Sequence, residues 1–334
     1  MKHSTKTVSI FLLTCLTAIG LTSSNRKVTI FIIGDSTAAE KSSPATNPER
    51  GWGMVLQGCF TEDILVDNHA VNGRSSKSFW DEGRWKKVVD RIAPGDYVLI
   101  QFGHNDEKPA PDRHTEPGST FDDNLRRYVR ETREKGGFPV LLNAVVRRKF
   151  YLENDHNDDD EKLRNKSYEG DELINSDTLI DTHGEYRLVP ERIAKEMKVV
   201  FIDANRITHD IEQRYGVVGS RRLHVWYKPG EISSLPKGRQ DNTHYNVYGA
   251  RIVADALATE LAAKIPALRK YVRHYDYVVS KEGRGNYMDL QTAIDDVPSN
   301  RKTSILILDG TWNKPYIAKG KKVKLIRYSG VRFK

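Results

Sequence analysis

The chain has 334 residues, of which 38% are apolar and 29% are charged, so it can build the core of one large domain or two smaller ones. Its formal net charge of +8 is uneven: residues 25–274 contain 39 basic and 39 acidic residues, whereas residues 275–334 contain 12 basic and 6 acidic ones. A neutral body gives nucleic-acid binding little support, and we expect no nucleic-acid partner.

The first predicted element is a signal peptide over residues 1–24. Two lysines precede an apolar run at residues 8–21, and small polar residues follow it. The run is too short to span a bilayer comfortably, and no other stretch comes closer, so we expect no membrane span. The pattern predicts a secreted or periplasmic protein, with lipid attachment at Cys15 as the alternative. Removal of the predicted signal peptide would take Cys15 with it and leave Cys59 as a lone cysteine, which excludes an internal disulfide.

The rest of the chain alternates between predicted strands and helices. Apolar runs predict five buried strands, at 28–33, 64–71, 97–102, 138–146 and 199–202. Amphipathic stretches predict helices at 79–92, 120–135, 192–198 and 245–264. Strands that alternate with helices imply right-handed crossovers and a parallel sheet covered on both faces. The predicted fold class is therefore α/β.

A polar, acidic span at residues 153–177 interrupts the alternation. Its segment 155–159 resembles a calcium-binding loop only loosely, because Asp160 stands where such a loop requires glycine. We interpret the span as a solvated surface loop. Metal-dependent hydrolysis also fits poorly, because the sequence contains neither a His-Glu-x-x-His motif nor clustered Cys and His residues. The sequence thus predicts no metal site.

Four short segments supply the parts of an acyl-transfer site. They are Gly34-Asp35-Ser36, Val71-Asn72-Gly73, Gly103-His104-Asn105-Asp106 and Asp241-Asn242-Thr243-His244. The first three follow predicted strands one, two and three, and ligands of parallel sheets bind beyond the carboxyl ends of the strands. Each segment alone is also typical of an ordinary loop or a helix cap. Their joint occurrence favours a serine esterase.

Each candidate residue has a specific chemical role. Ser36 is the candidate nucleophile, exposed at a strand-to-helix turn, and it needs a base to remove its proton. His244 is the candidate base, and Asp241 can accept a hydrogen bond from its imidazole and fix the tautomer. The backbone N–H groups of Ser36 and Gly73 and the side-chain amide of Asn105 are the candidate oxyanion donors.

The four segments resemble the four blocks of the SGNH, or GDSL-like, hydrolases. This resemblance implies a three-layer, flavodoxin-like α/β/α sandwich, ester hydrolysis without a cofactor, and the roles given above for the five residues. Segments 101–106, 114–119 and 238–245 are further similar to rhamnogalacturonan acetylesterases, over roughly residues 27–265. That similarity implies acetylated pectin as the substrate and release of acetyl groups through an acyl-enzyme. We expect a monomer.

Four further residues are candidates for substrate binding. Arg74, Arg147 and Arg148 lie near predicted strand ends and could meet galacturonate carboxylates, and His104 lies beside Asn105. Plain surface solvation of the arginines is the alternative. Three other functions also stay open: acetylesterase action on another polysaccharide such as xylan, hydrolysis of lipid esters or thioesters, and glycan binding without catalysis.

Residues 275–334 resemble the opening of a pectin methylesterase, which is a right-handed parallel β-helix. The likeness lies at 277–279, 283–286, 291–294 and 305–310. Such stacks usually need about three repeats, and the catalytic carboxylates of that family belong to later coils, so we expect no methylesterase activity. An unrelated basic appendage is the alternative. The predicted domains are an SGNH-type esterase at 25–274 and a short β-rich fragment at 275–334.

Overall fold

The computed structural model describes residues 26–152, 167–170 and 172–334. Its centre is a five-stranded parallel sheet of order β2-β1-β3-β4-β5. The strands are β1 (Val28–Gly34), β2 (Ile64–Asn68), β3 (Tyr97–Gln101), β4 (Phe138–Leu142) and β5 (Val200–Ile202). This is the flavodoxin-like order, so the predicted fold class is confirmed. The signal peptide, Cys15 and the segment compared with a calcium loop lie outside the described residues.

Helices cover both faces of the sheet. They are α1 (Trp52–Val55), α2 (Ser76–Asp81), α3 (Arg84–Val89), α4 (Thr120–Glu134), α5 (Val189–Met197), α6 (Ala204–Gly219), α7 (Val247–Lys264), α8 (Pro266–Arg269) and α9 (Leu290–Asp295). Short 3₁₀ turns occupy Leu56–Cys59, Gly184–Arg187 and Ser220–Leu223. None of the described helices is long and apolar enough to cross a membrane.

The alternation of side chains along β1 creates the two cores. Ile30 and Ile32 pack with α1, α6 and α7, whereas Phe31 and Ile33 pack with α2 to α5 on the opposite face. All four side chains are buried, because successive residues of a strand point to opposite faces and both faces are covered. The three-layer arrangement therefore follows from one continuous apolar run.

Several observed elements differ from the predicted ones: the helix predicted at 192–198 begins at Val189, and α6 was not predicted. The predicted helix at 79–92 is two helices, α2 and α3, separated at Gly83, whose φ of 67° is the left-handed conformation that glycine tolerates. The second and fourth predicted strands end earlier than expected, at Asn68 and Leu142. An antiparallel hairpin of β6 (His224–Tyr227) and β7 (Arg239–Tyr245) was not predicted at all, because β7 is almost entirely polar.

The C-terminal segment folds into strands of its own. β8 (Tyr277–Val279), β9 (Lys302–Ile307) and β11 (Lys322–Arg327) form a parallel sheet of order β11-β9-β8, and β10 (Thr311–Trp312) pairs in parallel with β12 (Arg332–Phe333). A separate core lies under the sheet. Its buried members are Val279, Leu290, Ala293, Ile294, Val297, Ile305, Ile307, Trp312 and Val331.

The C-terminal segment is docked on the α/β body through Tyr328. Its hydroxyl lies 2.8 Å from the carbonyl oxygen of Phe60 and 3.1 Å from that of Gln57, and it accepts a hydrogen bond of 3.0 Å from Gln57 Nε2. On the same face, Val278 lies against the Cα of Gly58, where an added Cβ would be 3.1 Å from the valine methyl groups. The two parts of the chain therefore share a packed and hydrogen-bonded interface.

Replacing Tyr328 by phenylalanine is expected to lower the free energy of unfolding by about 1–3 kcal/mol. The change removes a hydroxyl that three partly buried polar groups use, and it leaves them without that partner. Denaturant unfolding of both proteins measures the difference. Tyr316→Phe is the matched control, because Tyr316 is 72% exposed and its loss should change nothing measurable. Equal destabilisation by the two changes would contradict the docking role of Tyr328.

Candidate active site

Ser36 lies directly beyond the carboxyl end of β1. The strand ends at Gly34, where an added Cβ would stand 2.7 Å from the carbonyl oxygen of Gln101 in the neighbouring strand. The Asp35 carboxylate accepts hydrogen bonds from the backbone N–H of Thr37 at 2.9 Å and from Gln101 Nε2 at 3.2 Å. These contacts fix the turn that presents Ser36.

Two expectations about Ser36 were wrong. The residues after it form a turn, closed by the backbone N–H of Ala39 on the carbonyl oxygen of Asp35, and the next helix begins only at Trp52. Ser36 therefore does not lie at a strand-to-helix turn. It is also only 4% exposed, so its hydroxyl faces the interior of the site rather than open solvent.

His244 and Asp241 meet Ser36 from the hairpin strand β7. His244 Nε2 lies 3.0 Å from Ser36 Oγ, and His244 Nδ1 lies 2.8 Å from Asp241 Oδ2. The other carboxylate oxygen of Asp241 accepts from the backbone N–H groups of Thr243 and His244, each at 2.9 Å. A proton on Nδ1 then donates to the carboxylate and leaves the Nε2 lone pair directed at the serine hydroxyl. The three side chains are connected as a nucleophile, a base and an orienting acid require.

Gly73 and Asn105 are brought to the same end of the sheet. The backbone N–H of Val71 donates to the carbonyl oxygen of Gly34 at 3.0 Å, which places the segment after β2 beside the end of β1. Gly73 has a φ of 73°, so the turn there suits glycine. Asn105 is 3% exposed, and its Nδ2 donates to the carbonyl oxygen of Arg74 at 3.2 Å. The segments that carry the candidate oxyanion donors are thus tied to each other.

The buried carboxylate of Asp106 organises the turn that carries Asn105. It accepts hydrogen bonds from the backbone N–H of Gly103 at 3.0 Å, from Thr115 Oγ1 at 2.9 Å, and from both the backbone and the hydroxyl of Ser76. Burial raises the pKa of Asp106 to about 6, although the hydrogen bonds from Ser76 and Thr115 oppose the rise. Asp106 thus links the segments after β2 and β3.

The raised pKa of Asp106 makes a prediction about stability and pH. The folded protein keeps a proton on this carboxyl up to about pH 6, whereas an unfolded aspartate releases it near pH 4. The contribution of Asp106 to the free energy of unfolding should therefore fall as the pH rises from about 4 to 6, by about 3 kcal/mol at most. Unfolding titrations between pH 4 and 7 should show this fall in the wild type, and its absence in Asp106→Asn. The same slope in both proteins would contradict the assignment.

Two of the three arginines proposed for substrate binding are buried and paired with carboxylates inside the protein. Arg148 has a fully buried side chain that binds Glu172, Ser220, Asn242 and the carbonyl oxygen of Val217. It cannot meet a substrate carboxylate, so this expectation was wrong. The pairing also shows that Glu172, within the acidic span interpreted as solvated, has a side chain that is only 9% exposed.

Arg147 is likewise committed to an internal partner. Its guanidinium lies 2.6 Å from Glu107 Oε1, and its side chain is 6% exposed. Burial would raise the pKa of Glu107, but the charges of His183 and Arg147 lower it below its ordinary value, so the carboxylate is ionised. The guanidinium is therefore both buried and neutralised inside the protein. The expectation for Arg147 was therefore also wrong.

Of the two remaining candidates for substrate binding, His104 is as buried as Arg148, whereas Arg74 keeps a partly exposed side chain. The ring of His104 is buried and stacks edge-on against His183, with 4.5 Å between the ring centroids. Arg74 keeps a side chain that is 32% exposed and pairs with Glu82 at 3.1 Å. A cation that the sequence did not single out, Arg113, lies 3.4 Å from Asn105 Oδ1 with 18% of its side chain exposed. Arg113 lies in no recognisable sequence motif, so only the folded structure identifies it as a neighbour of Asn105.

Comparison with known proteins agrees with this geometry. Residues 32–252 match the GDSL-like Lipase/Acylhydrolase family. The chain is 37% identical over 259 residues to rhamnogalacturonan acetylesterase RhgT of Bacillus subtilis (strain 168), which covers 78% of this chain and 97% of the relative. It is 28% identical over 274 residues to the rhamnogalacturonan acetylesterase of Emericella nidulans, which covers 78% of this chain and 96% of that protein.

A solved structure shares the fold. The crystal structure of protein YXIM from Bacillus subtilis has a TM-score of 0.55 and 22% sequence identity, over 72% of this chain and 58% of that chain. The family match extends over more than half of the sequence and includes all five candidate catalytic and oxyanion residues. The chain therefore belongs to the GDSL-like lipase/acylhydrolase family and is a carboxylic ester hydrolase.

Proposed function

We propose that this esterase removes acetyl groups from acetylated pectin, with rhamnogalacturonan as the polysaccharide, through an acetyl-serine intermediate. The observation that carries the mechanism is the connected set of Ser36, His244 and Asp241, joined at 3.0 and 2.8 Å. The observation that favours the substrate is the identity of 37% to a protein named rhamnogalacturonan acetylesterase, along nearly its whole length.

The reaction begins with attack on the acetyl carbonyl. Ser36 Oγ forms a bond to the carbonyl carbon while its proton passes to His244 Nε2, and the carboxylate of Asp241 stabilises the resulting imidazolium. The negative oxygen of the tetrahedral intermediate faces the N–H groups of Ser36 and Gly73 and the amide of Asn105. Each such donor stabilises the transition state by about 3 kcal/mol.

Collapse of the intermediate releases the sugar. The bond between the carbonyl carbon and the sugar oxygen breaks, and that oxygen takes the proton from His244. The acetyl group then remains on Ser36. A water molecule repeats the sequence, with His244 as its base, and acetate leaves with regeneration of the serine hydroxyl. These steps use the three catalytic side chains, the oxyanion donors and water.

The cations near Asn105 support a uronate-containing substrate. The guanidinium of Arg113 lies 3.4 Å from Asn105 Oδ1, and Arg74 accepts from Asn105 through its backbone carbonyl while its guanidinium pairs with Glu82; both arginine side chains stay partly exposed. Galacturonate residues of pectin carry carboxylates, which arginine binds well. A neutral xylan backbone would offer no carboxylate to the exposed parts of these two side chains.

Acetate release on three polysaccharides tests the proposal. Acetylated rhamnogalacturonan, acetylated homogalacturonan and acetylated xylan are compared at equal acetyl content. We expect the highest kcat/KM on rhamnogalacturonan. Faster acetate release from xylan would show that the protein is a xylan acetylesterase instead. Saturable binding without acetate release would show that it binds glycans without catalysis.

Two further parts of the proposal concern the ends of the sequence. The basic and apolar pattern of residues 1–24 supports export to the periplasm or the medium, and N-terminal sequencing of the exported protein tests it.

The parallel stacking of β8, β9 and β11 supports the likeness of residues 275–334 to the opening of a pectin methylesterase. We expect no methylesterase activity, which an assay for methanol release from methylated pectin measures.

A further inference from the structure

Lys41 is a buried lysine beside Ser36 that the mechanism above does not use. Its Nζ lies 2.6 Å from the carbonyl oxygen of Ser36, 2.7 Å from Asn72 Oδ1 and 2.6 Å from Glu49 Oε1. The side chains of Lys41 and Glu49 are 2% and 3% exposed. An ammonium group has three N–H bonds, and here it has an acceptor oxygen for each of them.

Two of the acceptors belong to the segments that form the proposed oxyanion site. One is the backbone carbonyl of Ser36 itself. The other is the side chain of Asn72, whose peptide bond to the next residue supplies the N–H of Gly73. One ammonium group therefore joins the nucleophile to the segment of the second oxyanion donor, two parts of the chain that are otherwise 36 residues apart.

Glu49 connects the same lysine to the segment of the base. Glu49 forms an isolated antiparallel bridge with Asn246, and the backbone N–H of Arg50 donates to the carbonyl oxygen of Tyr245 at 2.9 Å. Tyr245 directly follows His244. Lys41 is thus linked, through Glu49, to the strand that carries the base as well as to the other two segments.

The segment that contains Glu49 is also held in place by its neighbour Arg50. The guanidinium of Arg50 donates to the carbonyl oxygens of Pro44, Asn47 and Gly283, at 2.7, 2.6 and 3.0 Å. Gly283 belongs to the C-terminal segment and is so close that an added Cβ would lie 2.3 Å from Pro44 Cβ. The position of Glu49 is therefore fixed on both sides.

A buried ion pair is weak evidence for stability, because an apolar pair of similar volume often stabilises a protein as well. The contacts of this pair instead suggest that it aligns the segment of Ser36 with the segment of Gly73. We propose that Lys41 is a positioning residue for ester hydrolysis: it holds Ser36 in register with the N–H of Gly73, and Glu49 is its counter-ion. This proposal rests on the esterase function given above.

The test removes the pair as a unit. In Lys41→Met/Glu49→Leu no buried charge is left without a partner, so the fold should be retained. We expect kcat for acetate release to fall about 10- to 100-fold, as displacement of reacting groups by about 1 Å does. KM and the shape of the pH profile should stay unchanged, because neither the substrate contacts nor the base is altered. Lys86→Met/Asp90→Leu is the matched control, since that pair is 2.7 Å apart but exposed, and its kcat should not change.

Lys41→Arg separates charge from geometry. It keeps the cation, but a planar guanidinium cannot direct single N–H bonds at three acceptors around one point. We expect a loss of kcat here too, and this variant gives the answer if the double variant does not fold. A folded double variant or Lys41→Arg with wild-type kcat would overturn the proposal, as would a rise in KM at unchanged kcat. Failure of the esterase function itself would be visible separately, as acetate release that survives Ser36→Ala.

Discussion

Replacing Ser36 by alanine is expected to lower kcat for acetate release by about 10⁶-fold, to nearly the background rate. The change deletes Oγ, which lies 3.0 Å from His244 Nε2 and is the only atom of the proposed site that can form the acetyl intermediate. The rest of the site is kept, since the backbone carbonyl of Ser36 still accepts from Lys41. The melting temperature should therefore stay near that of the wild type.

The control for this result is Ser42→Ala. Ser42 is an exposed serine six residues further along the chain, and its replacement should leave both kcat and the melting temperature unchanged. Initial rates of acetate release from acetylated rhamnogalacturonan are compared for the wild type, Ser36→Ala and Ser42→Ala. If Ser36→Ala keeps more than about a hundredth of the wild-type rate while folded, a nucleophile other than Ser36 must form the intermediate.

Replacing Asp241 by asparagine is expected to lower kcat by about 10⁴-fold. Asp241 Oδ2 accepts from His244 Nδ1 at 2.8 Å, which holds the proton on Nδ1 and leaves Nε2 free to accept one. An amide NH₂ at that position favours the opposite tautomer, in which Nε2 carries the proton and cannot receive that of Ser36. Asparagine keeps an oxygen for the backbone N–H groups of Thr243 and His244, so the turn itself is retained.

Asp210→Asn provides the comparison for the second result. Asp210 is an exposed helix residue with 53% of its side chain accessible, and the same chemical change there should not alter kcat. Rates and melting temperatures are measured side by side. A folded Asp241→Asn variant within tenfold of the wild-type rate would show that His244 is oriented without Asp241.

The sequence was sufficient to predict the sheet and the edge that carries the site. The first and third strands are almost entirely apolar and the second begins with three apolar residues, and Ser36, Gly73 and Asn105 follow the ends of these strands by two, five and four residues. Because parallel strands end at a common edge, their neighbours in sequence become neighbours in space. Asp241 and His244 were found by their spacing alone, since the polar strand β7 shows no apolar alternation.

The partners of buried charges could not be predicted. Arg147 and Arg148 lie near a strand end, as substrate-binding arginines would, but Glu107 and Glu172 neutralise them from distant parts of the chain. Lys41 was overlooked for the same reason, because its acceptors at Glu49 and Asn72 meet only in the folded protein. Local sequence shows where a cation lies along the chain, whereas burial and pairing depend on long-range packing.

The role of Ser36 as the nucleophile can be measured directly with a phosphonate ester that has a good leaving group, because its adduct with serine mimics the tetrahedral intermediate. A serine activated by His244 should displace the leaving group and become phosphonylated, with complete loss of acetate release at one equivalent of reagent. Peptide mass mapping then locates the label. We expect a single label on Ser36 in the wild type and none in Ser36→Ala. A label on any other residue in parallel with inactivation, or full activity after labelling of Ser36, would contradict this role of Ser36.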